Sequence, residues 1–539
     1  MKVTFVYPSY ESLGIEYCSA VLRQRGHRTS LVVDPRLFRD TFLEVPWLAP
    51  AFDGTDEVAD LVARERPGLV ALGVVTDTWR WAVAMAEAVK ARLDVPVVVG
   101  GVHVTSAGVA AFEERAIDFV VRGEGEQPLA ELADSLERGG FDPGIANLGY
   151  RDGEGRAVLN PVRPPVEDLD SLPFPDKSLY DGTPLSADRL YAMVASRGCT
   201  YSCSYCNNSM NKRLYGGGAR WFRRRSVESV MAELAAARRS YAFEAVNFYD
   251  EIFTDDQEWL EEFCPRYARE VGLPYICCVH PRQVNGRVAE LLASSGCGKV
   301  DLGVQTTDPE LRRKVVHRPE TGEEVARAID GLRARGVSVH AENIFGLPGQ
   351  TEEQLVETAR FYNEHRPNVI KVYWLSYYPG TDIVNAGLES GELRPEQVAG
   401  LERGMGTRPF ATGGSGARPE FQRLFSFLAI MLLLPRRLAA WLLERRLYRW
   451  MPSSGLAGFS TILMRLLNSD GRSHDIMKRR YQRQYVHYLW RWVLGRLRAP
   501  GSPASRAAPS SLDAGAPPLH PLAPSGGSPE LERLRDPRP

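Results

Sequence analysis

The sequence predicts an α/β protein in three parts. An N-terminal doubly wound (Rossmann-like) sheet comes first. A central partial or full α/β (TIM-like) barrel follows, and then a C-terminal helical region. Three observations predict this. Short apolar runs that end in Gly or polar residues alternate with stretches of helical spacing, in two separate series. The 539 residues are too many for one hydrophobic core. Composition also changes along the chain, to Pro-, Asp- and Gly-rich after residue 135 and to basic and Leu/Trp-rich near residue 420.

The first series spans 1–135. KVTFVYP reads as a buried strand. IEYCSAVLRQRG places Ile15, Cys18, Val21 and Leu22 on one helical face, with Gly26 as a stop. LVALGVV (69–75), VPVVVGG (95–101) and DFVVRGEGE (118–126) repeat the pattern. A parallel sheet covered on both faces follows, and such sheets bind ligands beyond the carboxyl ends of their strands. Those ends carry Pro8-Ser9, Thr76-Asp77, Gly100-Gly101-Val102-His103 and Gly123-Glu124-Gly125-Glu126.

Residues 136–190 read as a linker, proline-rich and extended over LNPVRPPVEDLDSLPFPDKSLY. The barrel series spans 191–390. Its strand candidates are YAMVAS, AVNFYD, YICCVH, KVDLGVQ, SVHAENIFG and VIKVYWL, with helical segments such as SVESVMAELAAARRS between them. Chemistry in such barrels sits at the C-terminal strand ends. Residues 391–500 form the basic helical region, with fifteen Arg or Lys against three acids over 421–500. Residues 501–539, rich in Pro, Ser, Ala and Gly, are expected to be disordered.

A formal net charge of −1 argues against nucleic acid as a partner. No stretch approaches the ~20 apolar residues of a membrane span. MKVTFVYPSY lacks the pattern of a signal peptide. These features predict a cytoplasmic, reducing location, where clustered thiols bind metal more often than they pair.

RGCTYSCSYCNNS (197–209) holds Cys199, Cys203 and Cys206, spaced C-x3-C-x2-C. Three thiolates on a short loop suit a four-iron cluster that keeps one iron open. A disulfide would leave an odd thiol. Zinc is the competing metal, since Cys203 and Cys206 could join Cys278 and His280 in a four-ligand site. Cys18, Cys264, Cys277, Cys278 and Cys297 lie in apolar patterns and read as small buried hydrophobes.

The cysteine spacing, with aromatic Tyr205 before the last Cys and a barrel's first strand before the loop, resembles the radical S-adenosylmethionine (SAM) enzymes. The resemblance implies a [4Fe-4S] cluster on Cys199, Cys203 and Cys206, with SAM chelated at the open iron. It implies reductive cleavage of SAM to a 5′-deoxyadenosyl radical, chemistry that belongs to the cofactor while the protein orients it. Further segments resemble the family in order and imply SAM contacts at Tyr205, at Tyr249, Asp250 and Glu251 in FYDEIF, at Gln305 in LGVQT, and at Phe345 and Gly346 in ENIFGLPGQT. The Tyr249-Asp250-Glu251 turn lacks the glycines usual there, and its acids also suit a helix N-terminus.

The segments YPSYESLGIEYCSAVLRQRGH, VVVGGVHVT and VVRGEGE resemble the cobalamin-binding domain that precedes one large radical SAM subgroup. They imply cobalamin contacts at Ser9, Gly14, Thr76, Trp79, Gly100, Gly101, His103, Gly123, Glu124 and Glu126. The glycines are expected to let backbone approach the cofactor. A nucleotide- or flavin-binding sheet is the alternative. The Asp-x-His-x-x-Gly motif of many cobalamin domains is missing. The cobalt's lower face then falls to the loop with Trp79 and Trp81, which otherwise are packing aromatics, or to His103, otherwise a satisfied loop residue.

The resemblance covers roughly 1–385. It implies a cobalamin-dependent methyltransferase acting on an unactivated carbon or a phosphorus of a small-molecule or natural-product intermediate. It also implies a reducing partner such as flavodoxin or ferredoxin. A radical cyclase, ring-rearranging or oxidising enzyme with the same cofactors is the alternative. A non-catalytic, metal-stabilised binding protein is the third reading. The basic C-terminal helices either contact an anionic membrane surface or pack on the barrel and cover the substrate.

Overall fold

A computed structural model describes residues 1–8, 10–39, 45, 47–217, 221–405, 418–451, 453 and 471–497. Ser9 and the expected disordered tail lie outside the described residues.

The first sheet contains β1 (Lys2–Pro8), β2 (Arg28–Asp34), β3 (Leu69–Gly73), β4 (Val97–Gly100), β5 (Phe119–Val121), β6 (Leu148–Arg151) and β7 (Ala157–Leu159). Its order is β2-β1-β3-β4-β5-β6-β7. β1 to β5 are parallel, and β6 and β7 join antiparallel. Part of the stretch read as a linker is therefore an extension of this sheet.

Alternation within a strand explains the continuous apolar runs. Val6, Val70, Leu72, Val97 and Val99 enter one apolar cluster. Phe5, Leu69, Ala71, Val98 and Val121 enter another on the opposite face. Helices cover both faces, so neither parity of residue meets water.

The second sheet contains β8 (Leu190–Met193), followed by the short β9 (Ser196–Arg197) and β10 (Arg223–Arg224), which form a separate two-stranded ribbon. It continues with β11 (Ala245–Phe248), β12 (Tyr275–Val279), β13 (Cys297–Gln305), β14 (Ser338–Phe345) and β15 (Val369–Trp374). The order β8-β11-β12-β13-β14-β15 is wholly parallel and ends at β8 and β15. The barrel is thus partial. All six strand candidates are present because each is an apolar run that a following helix returns to the same end. Val300, Leu302, Val339 and Ala341 face those helices in one large core.

The Pro419–Met431 and Arg436–Glu444 helices pack on the barrel flank. Phe421, Leu424, Phe427, Met431, Ala439 and Leu443 join its core. A later helix, Gly471–Leu497, sends Arg480 to Glu11 at 2.8 Å. Glu11 also takes Lys177 Nζ at 2.8 Å, and Lys177 reaches Glu16 at 2.6 Å. Among the described residues no helix is long and apolar enough to cross a membrane.

Candidate active site

The cysteine loop is built from its anchors outward. After β8 the chain turns at Ala195, whose N–H donates to Asp250 Oδ2 at 3.0 Å, and Ser196 Oγ donates to the same carboxylate. Gly198 follows with φ +85°, and a Cβ there would lie 2.2 Å from the Trp221 carbonyl oxygen. Only glycine fits both the angle and the space. Cys199 comes next. Ser204, midway along the loop, donates from N–H to the Val316 carbonyl at 3.2 Å and from Oγ to the Val315 carbonyl at 2.6 Å. Cys206 ends the loop as the N-cap of the Asn207–Leu214 helix.

All three thiols are unpaired. Burial pushes the Cys199 thiol up to about 12 and the Cys206 thiol up to about 11, with neighbouring sulfurs adding to it. Compensation is present. Backbone N–H groups of Tyr201 and Asn208 point at Cys199 and Cys206. The buried Arg318 places Nη1 3.8 Å from Cys203 Sγ and 3.4 Å from Tyr205 Oη. Arg318 is itself fixed by Glu320 at 2.6 Å and the Gly303 carbonyl at 2.6 Å. Against the cost of burial, His280 and Arg318 hold the Glu320 carboxyl down to about 2. His280 also stacks on Tyr201 at 4.0 Å.

This donor set fits thiolates on a cluster. Fixed N–H groups and a guanidinium surround the sulfurs, as outer partners do around metal ligands. The zinc alternative needed Cys278 and His280 to join Cys203 and Cys206. Among the described residues no three His, Cys, Asp or Glu side chains are gathered closely enough to hold one ion, the three loop cysteines included, so the preference for a cluster over zinc rests on the spacing of Cys199, Cys203 and Cys206 and on the donors around them.

The expected SAM residues divide. Tyr205 lies beside the cysteines, under Arg318. Tyr249 is half exposed. Asp250 differs from expectation: it is buried, and its carboxylate is spent on Ala195 and Ser196. Glu251 does reach the open space and accepts from Asn208 Nδ2 at 3.2 Å. Its side chain is exposed, yet the protein atoms crowded around it desolvate the carboxyl and push it up to about 7. Gln305 ends β13 at φ +65°, just after a break in the β13–β14 register. A non-glycine residue held there marks backbone that the surroundings over-determine. Phe345 is buried against Trp374, and Gly346 at φ +79° donates its N–H to Gln350 Oε1 at 2.8 Å.

The expected cobalamin residues also divide. Gly100 ends β4 and Gly101 follows it, and a Cβ on Gly101 would meet the Val74 carbonyl oxygen at 2.3 Å. This glycine serves packing within its own domain. Gly123, at φ +74°, makes room for another residue: a Cβ there would lie 2.0 Å from Tyr215 Oη. That hydroxyl accepts the Glu124 N–H at 2.7 Å. Trp79 and His103 are buried against each other, with ring centroids 4.8 Å apart, and His103 Nδ1 lies 3.2 Å from Thr76 Oγ1. The readings of Trp79 as a lower-face cover, His103 as a cobalt ligand and Thr76 as a contact therefore meet a correction. All three are buried and present almost no accessible surface, although His103 Nε2 has no hydrogen-bond partner among the described residues. Gly14 is exposed at the start of the Leu13–Gln24 helix.

Glu124 and Glu126 reach across to the barrel. Glu124 accepts from Arg223 Nη1 at 2.8 Å, from Arg197 Nη1 at 3.4 Å and from the Val166 N–H at 2.8 Å. Glu126 accepts from Arg197 Nη2 at 2.6 Å. Arg197 and Arg223 face each other on β9 and β10.

Between the two sheets lies a cavity of about 440 Å³. Tyr205, Cys206, Asn208 and Glu251 line one side, and Val102 and Glu124, each just past the end of a first-sheet strand, line the other. The cysteine loop and the carboxyl edge of the first sheet thus open onto one space. Residues 193–362 match the family model of the Radical SAM superfamily, and residues 3–133 match that of the B12 binding domain. The chain thus carries a B12-binding domain followed by a radical SAM domain.

Relatives and solved structures agree with this assignment. An uncharacterized methyltransferase of Pyrococcus horikoshii is 27% identical, over 71% of this chain and 82% of that protein. The anaerobic magnesium-protoporphyrin IX monomethyl ester cyclase of Rubrivivax gelatinosus is 26% identical, over 70% and 68%. The cytidylyl-2-hydroxyethylphosphonate methyltransferase of Streptomyces wedmorensis is 21% identical, over 71% and 79%. The radical SAM methyltransferase TsrM from Kitasatospora setae, solved with cobalamin and a [4Fe-4S] cluster, shares the fold with a TM-score of 0.57 at 19% identity, over 73% and 79%. The cobalamin-dependent radical SAM enzyme OxsB does so with a TM-score of 0.61 at 14% identity, over 90% and 75%.

The chain is therefore an enzyme. Its radical SAM domain implies a [4Fe-4S] cluster and SAM, and its B12-binding domain implies cobalamin. The non-catalytic reading falls away. Four residues escaped the sequence reading: Arg197, Tyr215, Arg223 and Arg318. Arg197 is two residues before Cys199, and that adjacency was a usable signal. Arg318 lies 112 positions past Cys206 with no motif to mark it.

Proposed function

We propose that this radical SAM enzyme is a cobalamin-dependent methyltransferase, acting on an unactivated carbon or a phosphorus of a small-molecule intermediate. The carrying observation is the shared cavity. Tyr205, Cys206 and Glu251 line one wall and Val102 and Glu124 the other, so a substrate held there would lie against both the cysteine loop and the first sheet's carboxyl edge. Cys199, Cys203 and Cys206 are the proposed cluster ligands. When bound and reduced, the cluster supplies the electron that splits SAM and starts the radical chemistry.

The protein's own share is binding and orientation. Arg318 fixes the Cys203 and Tyr205 side chains. Asp250 fixes the turn before the loop. Glu251, pushed up to about 7, offers a hydrogen-bonding group on the cavity wall whose proton is readily held or released near neutral pH. A flavodoxin or ferredoxin is the proposed reductant, and the cytoplasm the proposed location.

Methyl transfer is favoured over cyclisation because two of the three relatives named above are methyltransferases. The cyclase relative supports the second reading. The test is anaerobic purification with iron and cobalamin analysis, then SAM and dithionite with detection of products. Iron, cobalamin, 5′-deoxyadenosine and S-adenosylhomocysteine with a methylated product support methyl transfer. Deoxyadenosine with a product that gains no methyl group supports the cyclase or oxidase reading instead. Iron and SAM cleavage without bound cobalamin would sink the methyltransferase proposal.

A further inference from the structure

The flank of the barrel carries a face that the cofactor chemistry does not use. The Arg436–Glu444 helix is apolar on two sides. Its inner side, Ala439 and Leu443, is buried in the barrel core. Its outer side presents Leu438 and Trp441, 42% and 47% exposed. Leu433 before the helix and Trp450 after it are 54% and 87% exposed. Isolated surface leucines are ordinary, but two tryptophans and two leucines gathered on one short segment are not.

The charges around this face are arranged to match. Arg446 and Arg449 turn inward to Glu353 and Glu352, each with a contact of 2.6 Å or less. Arg436, Arg437 and Arg445 are exposed and have no carboxylate partner among the described residues. Glu444 is the one acid of the helix. Unpaired arginines interleaved with exposed Trp and Leu match a surface that is anionic outside and apolar just beneath. Tryptophan suits that boundary because its ring is apolar while its N–H stays hydrated.

The face is also held firmly in place. Tyr448 and Arg449 both bind Glu352, in the first turn of the Glu352–His365 helix. That turn directly follows Gly346–Gln350, so Trp450 stands at the mouth end of the barrel. At the other end, Arg366 donates to the Leu432 and Leu434 carbonyls at 3.1 and 2.9 Å. Both ends of the exposed segment are therefore fixed without any contribution from its outer side.

We propose that Leu433, Leu438, Trp441 and Trp450, with Arg436, Arg437 and Arg445, form a docking face for an anionic phospholipid bilayer. The face lies flat against the headgroups and does not span. It operates whether the enzyme transfers methyl groups or not.

The test uses the full-length, cofactor-loaded protein with vesicles of phosphatidylcholine alone or mixed with phosphatidylglycerol, read by co-sedimentation. Several-fold more protein is expected to sediment with the mixed vesicles, and added NaCl should reduce it. The W441S/W450S and R437E/R445E proteins should each lose most of that binding. Their iron and cobalamin contents and melting temperatures should match the parent, because none of these side chains supports the core. Equal sedimentation with neutral and anionic vesicles would overturn the proposal, as would binding unchanged in both variants. So would a parent protein that ignores vesicles and self-associates through the same residues, which would make the face a contact between copies.

Discussion

Arg197 Nη2 lies 2.6 Å from Glu126 Oε1, so a guanidinium two residues before the first loop cysteine, Cys199, is held by an acid of the neighbouring B12-binding domain. Both side chains are largely shielded from solvent, and the Arg197 guanidinium also rests 4.9 Å over the Tyr17 ring. The position of the cysteine loop is thus set partly by a domain to which it does not belong.

Removing one partner of such a pair leaves the other charge buried. Glu126→Ala is expected to cost about 3 kcal/mol, while Glu126→Gln, which still accepts a hydrogen bond, costs less. Denaturant unfolding of the two variants measures the difference. Iron content after reconstitution should fall with Glu126→Ala, because the loop's first anchor is lost. Unchanged iron and unchanged stability would remove Arg197 from its positioning role.

Each cluster ligand should be individually indispensable. Cys199→Ala, Cys203→Ala and Cys206→Ala are expected to lower bound iron to near background and abolish SAM cleavage, with a far-ultraviolet spectrum like the parent's. Cys278→Ala should retain full iron, since Cys278 takes no part in the loop. Iron retained in any of the three loop variants would refute the ligand assignment.

Gly123 and Tyr215 form a pair in which one residue's missing side chain is the other's space. Gly123→Ala should destabilise by a few kcal/mol, through the clash with Tyr215 Oη and through alanine at φ +74°. In a Tyr215→Ala background the same change should cost only about 1 kcal/mol, the backbone part alone. A double-mutant cycle reads this directly, and full additivity would show that the two residues do not meet.

His103 gives the fold a pH signature. Burial lowers its pKa to about 4, below the ordinary 6.5, so the folded state prefers the neutral ring. The unfolded chain takes up the proton first on acidification. Stability from this residue is therefore complete above pH ~6.5 and is lost as pH falls towards ~4, amounting to about 2 kcal/mol between pH 7 and pH 5. His103→Asn should flatten the pH dependence of unfolding over that range, and an unchanged slope would contradict the assignment.

The βα rhythm was legible because parallel strands buried on both faces leave continuous apolar runs, as VVVG in β4 and LVALG in β3 show. The cysteine loop was legible because its three cysteines are close in sequence. The remaining site residues were less so. Gly123 reads from sequence as a cofactor cradle, yet its space is taken by Tyr215, 92 residues away. Trp79 and His103 sit at the right strand ends but turn inward, and strand position alone does not fix side-chain direction. Arg318 meets Cys203 only because β13 brings the following loop back to the same rim.

The four-residue clamp of Glu124, Glu126, Arg197 and Arg223 also bears on how this architecture can be recombined. Its acids belong to one domain and its arginines to the other, so neither half is a self-sufficient module. A chimera that pairs this B12-binding domain with a foreign barrel would bury two carboxylates without cations unless the β9–β10 ribbon travelled with it. The natural unit of exchange is therefore the first domain together with the threshold of the second, and the seam for grafting lies after Arg224, inside the barrel domain.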